Sequence, residues 1–197
     1  MPSDSGLDPA YLDAAVQAMQ SAGVVFAAGL ADVEIERAET AHGFRFPPDL
    51  RSLLQRAVPT GARFPNWRRP DAEDLAGLLR WPADSMFFDV EHDQFWLPAW
   101  GPKPTLEAAR DIVDAAVRAA PFLIPVFGHR YLPATPCLSG NPVFSVYQTD
   151  IIRYGVDLQD YLRAEFGAPD PTRMLPAARE IEFWTRIAGG ASQADGR

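Results

Sequence analysis

Asp89-Val90-Glu91-His92-Asp93, set between Phe87-Phe88 and Phe95-Trp96, is the densest group of side chains in this chain that could move a proton or hold a cation. On a helix, Asp89 and Asp93 would project from one face, four residues apart, with His92 beside Phe88 on a neighbouring face. Two carboxylates and an imidazole could ligate a metal or share acid–base work. Metal sites usually draw ligands from more than one element, however, and His42 and His129 fall at a helix end and in a turn with no acidic pair beside them. The stretch therefore reads first as a solvated helix surface, next as a protein-contact patch, and last as a centre built from Asp89, His92, Asp93 and a distant His129. The aromatic group Trp67, Trp81, Phe95, Trp96 and Trp100 divides in the same way, between lids packed over a core and anchors for a partner. The candidate partner-binding residues are Asp89, Glu91, His92, Asp93, Trp96 and Trp67.

Other chemistry lacks its residues. There is no Gly-rich phosphate loop ending in Lys-Ser or Lys-Thr, no paired-cysteine motif, no His-Glu-x-x-His and no Gly-x-Ser-x-Gly elbow, so no enzyme, cofactor or metal is expected. Cys137 is the single cysteine, which rules out an internal disulfide and a thiolate zinc site and leaves a small buried or turn residue. A formal charge of −8 and a pI near 4.8 repel phosphate backbones, which argues against direct nucleic-acid binding and suits a basic protein partner. The N-terminus has no basic leader pattern, and the longest apolar run, Ala22 to Leu30, is far shorter than the roughly 20 residues that cross a bilayer. No membrane association and a cytoplasmic location are the expectation.

The elements that must position these residues are legible from periodicity. With 197 residues, 47% hydrophobic and 22% charged, the chain suits one domain. Pro9 to Gln20 predicts a helix burying Leu12, Ala15, Val16 and Met19. Asp32 as cap, the stripe Ala31, Ile35, Ala38 and His42, and Gly43 at the end predict a second. Pro48 starts a third, with Leu50, Leu53, Leu54 and Ala57 on one stripe. Pro59 to Pro70 reads as a surface loop with Arg63, Arg68 and Arg69 as a basic cluster. Asp71 to Arg80 is expected to be a short helix stopped by Trp81-Pro82, and Ala83 to Phe95 another. Thr105 caps a helix whose Leu106, Ala109, Ile112, Val113, Ala116, Val117 and Ala120 predict a core face. From Phe122 the period changes. Leu123 to Phe127, Tyr131 to Leu132, Phe144 to Val146 and Ile151 to Tyr154 predict an antiparallel meander. Asp157 caps a helix ending at Gly167, and Ala177 to Ala188 predicts a last helix before a disordered tail from Gly189. The class is α+β: a single domain with a short antiparallel or mixed sheet in the second half and several packed helices.

The helix ending in Gly43, the link Phe44-Arg45-Phe46-Pro47-Pro48-Asp49-Leu50, the strand-rich stretches Pro125 to Pro133 and Asn141 to Gly155, and the closing Asp157 to Phe166 together resemble the SUKH superfamily, the domain typified by the Smi/Knr-type regulator of yeast cell-wall synthesis. Where many members carry an acidic, Gly-rich hairpin, this chain has Pro59-Thr60-Gly61-Ala62-Arg63-Phe64-Pro65-Asn66-Trp67. The resemblance divides the chain into a helical extension (1–29), a SUKH-like domain (30–167) and a C-terminal helix with flexible tail (168–197). It implies a non-enzymatic protein-binding domain, foremost an immunity protein that neutralises a cognate bacterial toxin by occupying it. A regulatory scaffold of the Smi/Knr type is the alternative, and a metal-dependent hydrolase the third. The partner it implies is a protein, such as a basic toxin domain; the oligomeric state stays open.

Overall fold

Turn chemistry sets the sheet at the centre of the molecule. The computed structural model describes residues 5–168, Met174 and 176–189. Strands β3 (Leu123–Phe127), β4 (Arg130–Pro133), β5 (Val143–Tyr147) and β6 (Asp150–Gly155) form an antiparallel meander in chain order. Gly128 at φ 56° and Gln148 at φ 56° supply the left-handed residues that its two tight hairpins need. Alternation along these strands divides the interior in two. Ile124, Val126, Leu132 and Val143 join one core, while Leu123, Tyr131, Phe144, Val146 and Ile151 join the other.

The first core is built by the N-terminal half. Helix α1 (Pro9–Ser21) lays Leu12, Ala15, Val16 and Met19 into it, with the Asp8 carboxylate accepting from the Ala10 and Tyr11 amides. Helix α2 (Asp32–His42) ends in Gly43 at φ 70°, and α3 (Pro48–Arg56) buries Leu50, Leu53 and Leu54. Ala31, rather than Asp32, is the N-cap of α2; it has no side-chain acceptor, and Glu34 instead reaches back to its amide at 2.8 Å. That contact with Ala31, aided by Arg68, holds the Glu34 carboxyl below its ordinary range. Helix α6 (Leu158–Phe166), capped by Asp157 and stopped by Gly167 at φ 70°, closes this side with Leu158, Tyr161 and Leu162.

Two strands arise where none is expected. β1 (Val25–Ala28) pairs antiparallel with β2 (Ala57–Thr60), so the run read only as apolar, and the first residues of the supposed surface loop, make a ribbon. Tertiary contact overrides the local turn signals here. Arg68 is engaged within the fold: it donates to the Ala28 and Gly29 carbonyls at 2.7 and 2.9 Å and pairs with Glu34. Trp67 is 1% exposed, packed edge-on against Phe44 and Phe46.

The second core is covered by α4 (Glu73–His92), α5 (Leu106–Ala119) and α7 (Trp184–Ala188). Asp71–Arg80 and Ala83–Phe95 are not two helices: α4 runs unbroken with Pro82 inside it. Proline cannot donate to the carbonyl four residues back, which here is Leu78. The Tyr131 hydroxyl, delivered by β4, donates to that carbonyl at 2.8 Å and completes it. Helix α5 begins at the Thr105 cap, but only Ala109 and Val113 are fully buried, and Leu106 is exposed. The expected helix over Ala177–Ala188 shortens to α7 because Phe183 takes φ 70° and ends any continuous turn before Trp184. The disordered tail expected beyond Gly189 lies outside the described residues. Among the described residues no helix is long and apolar enough to cross a membrane.

Candidate partner-docking face

The acidic stretch is helical from Asp89 to His92, with Asp93 as the C-cap of α4, but the sheet decides which of its members meet solvent. Asp89 turns inward and is 5% exposed. Its Oδ2 accepts from the Thr149 amide at 2.8 Å and from the Thr149 hydroxyl, and Oδ1 has no hydrogen-bond partner among the described residues. Asp89 thus fastens the β5–β6 hairpin to α4. It does not face a partner, and neither does Trp67, enclosed in the aromatic core. Trp96 is half-buried, gives its N–H to the Gly101 carbonyl at 2.6 Å and packs edge-on against Trp100, so it serves the turn after α4. Glu91, His92 and Asp93 are exposed at the C-terminal end of α4. The His92 ring stacks on Phe88 at 4.1 Å and places Nδ1 2.9 Å from the Phe88 carbonyl.

Among the described residues no three His, Cys, Asp or Glu side chains gather closely enough to hold a metal ion. Asp89 is engaged by Thr149, while His129 lies in the β3–β4 turn against Tyr147. The side chains named for acid–base chemistry therefore do not converge.

What the fold does assemble is a line of exposed aromatic rings. At about 100° per residue, Trp81, Phe88 and His92 fall within about 40° of one another on α4. The opposite side of the helix buries Met86 and Val90. Trp81 remains 37% exposed, Phe88 44%, and Tyr147, at the end of β5, 55%, in a chain whose other Phe, Trp and Tyr rings are buried or half-buried. The line is held in place. The Trp81 indole N–H donates to the Val146 carbonyl at 2.9 Å, its ring lies 6.4 Å from that of Tyr147, and Tyr147 in turn meets the His129 ring at 5.9 Å. Because Asp89 clamps Thr149 two residues beyond Tyr147, both ends of the strip are fixed to one helix.

Charge is distributed unevenly along it. Glu91 and Asp93 stand at the Phe88–His92 end, and Asp150 stands opposite Tyr147 on β6. At the other end Arg63 lies over the Phe127 ring at 4.0 Å and beside Gly128, while Arg130 follows His129. Burial, then the neighbouring Arg130 and Arg63 charges, push the His129 pKa below its ordinary value, and Glu165 only partly opposes them. Sequence reasoning set Trp81 among possible anchors but missed Phe88 and Tyr147. Phe88 belongs to an apolar doublet, and Tyr147 ends a strand whose other residues are all buried; only the crossing of α4 over the hairpin joins them.

No family model, curated protein or solved structure matches the chain.

Proposed function

We propose that this chain is a protein-binding domain without chemistry of its own, an immunity-type protein that neutralises a toxin by covering it through the Trp81–Phe88–Tyr147 face. The observation that carries this reading is the fixed strip of exposed aromatic rings. Large rings with few rotatable bonds, immobilised before binding, are the usual centres of interface energy, since little conformational entropy remains to be lost. The net charge of −8 favours a basic partner by speeding encounter. The order of helix, Gly43, Phe-Arg-Phe-Pro link, helix, meander and closing helix, which resembles SUKH domains, supports a role in toxin neutralisation over other binding roles.

The test is survival. Each gene adjacent to that of this chain is expressed alone and together with it; one product is expected to arrest growth and the chain to restore it. Restoration is expected to fail with the Trp81→Ala/Tyr147→Ala double variant. If no adjacent product is toxic, or if the chain leaves its toxicity intact, the immunity reading falls.

A further inference from the structure

A groove opens where α4, the end of α5 and the start of β3 meet, at the seam between the two cores. Its volume is about 340 Å³, at the lower end of the roughly 300–1,000 Å³ range of small-molecule sites. Leu79 and Phe122, packed against the first core, and Leu123 and Trp184, of the second, form an apolar floor with Pro82 and Val117. The small side chains of Ala83 and Ala120 leave the space open. Trp184 already gives its indole N–H to the Pro121 carbonyl at 2.6 Å, so the ring meets a ligand as an apolar surface. Leu79 and Ala83 lie two residues to either side of Trp81 and so point about 160° away from it round α4, which sets the groove apart from the aromatic strip.

Charge at the rim is paired, with one exception. Arg110 stands between Asp114, at 3.0 Å, and Asp84, at 2.5 Å, and engages both carboxylates. Arg80 is held by Glu73 at 2.8 Å. Arg118, in the last turn of α5, lines the same groove, is exposed, and among the described residues has neither an ion pair nor a hydrogen bond from its side chain. Asp114, four positions back on the same helix, is committed to Arg110 through both oxygens. The helix dipole favours a cation in that turn but leaves the planar fork of the guanidinium unused.

We infer that this groove binds a small organic monocarboxylate: its apolar body lies on Leu79, Val117, Phe122 and Trp184, and its carboxylate meets the Arg118 guanidinium. One uncommitted guanidinium matches one negative charge. Asp84 and Asp114 at the rim disfavour a dianion and, being paired with Arg110, offer an amine little. The inference does not depend on the docking face and would survive its failure.

The probe is 4-phenylbutyrate, with 4-phenylbutanamide and 4-phenylbutylamine as its neutral and cationic counterparts. Each is titrated into the purified full chain while the Leu79 and Val117 methyl resonances are followed by NMR. The carboxylate is expected to saturate these shifts at a concentration about ten-fold or more below that of the amide or the amine. Arg118→Gln, a change at an exposed position, should reduce the carboxylate to the affinity of the amide and leave the amide where it was. Ala83→Phe, which fills the groove, should abolish the response to all three. Equal affinity for the three probes, or a carboxylate preference that survives Arg118→Gln, would overturn the assignment, as would the absence of any shift at millimolar probe. Methyl shifts that grow with the concentration of the chain alone would mean that a second copy occupies the groove, and would equally overturn it.

Discussion

Single side chains decide which acidic residues are structural and which are free. Asp89 holds two donors of Thr149, so Asp89→Ala leaves a half-buried amide without its acceptor and should cost about 1–3 kcal/mol in urea unfolding. Faster hydrogen exchange at the Thr149 amide should accompany the loss; an unaltered exchange rate would mean that the hairpin is held by other contacts. His129 provides a second measurement. Its pKa is lowered, so the folded chain prefers the neutral ring, and the stability this contributes is present above the ordinary value of 6.5 and lost as pH falls through the folded value. Titration of the His129 ring by NMR should have its midpoint below 6.5, and Arg63→Ala should raise it; a midpoint unmoved by that substitution would show that Arg63 does not act on the ring. Asp49 runs the opposite way. Burial raises its carboxyl pKa despite bonds from the Gly140 and Leu50 amides, so the folded chain retains this proton longer and loses stability from the group as pH rises from 3.8 through the folded value.

The elements show where local signals suffice and where they fail. Helices α1, α2, α3 and α6 and the four-stranded meander were legible because each carries its own stop and start: Pro9, Gly43, Pro48, Asp157 and Gly167 for the helices, and for the strands short β-branched and aromatic runs set off by Gly128-His129 and Gly140-Asn141-Pro142. Pro82 misled because the group that rescues the helix, the Tyr131 hydroxyl, stands 53 residues from Leu78. The β1–β2 ribbon was illegible for the same reason, as its pairing joins residues such as Val25 and Thr60, 35 positions apart. In the candidate site, the helical spacing of Asp89, His92 and Asp93 could be read, but not the rotation of α4 that buries Asp89 and exposes Phe88. Helix continuity yields a sharp test. Tyr131→Phe should destabilise the chain by about 1–3 kcal/mol, because the Leu78 carbonyl loses the donor that replaces the missing proline N–H. Combined with Pro82→Ala, which restores a backbone N–H to α4, the same change should cost markedly less; equal costs in both backgrounds would contradict the compensation. At the end of β1, a Cβ on Gly29 would collide with the Gln55 carbonyl of α3. Gly29→Ala should therefore destabilise by roughly 1–3 kcal/mol, measured by thermal or urea unfolding.

At the scale of the whole molecule, an α+β domain divides its interior between two cores and carries one helix, α4, that is buried along one side and lined with aromatic rings on another. The rings are held by the same contacts that hold the fold together, the Trp81–Val146 bond and the Asp89–Thr149 clamp, so the face is formed before any partner arrives. The central claim is that this face does the binding. Calorimetric titration of the purified chain with the adjacent-gene product whose toxicity it relieves tests it most directly. Trp81→Ala and Tyr147→Ala are each expected to weaken the affinity by about 30-fold or more, the loss of about 2 kcal/mol that marks an interface anchor. An affinity unchanged by both substitutions would contradict the account.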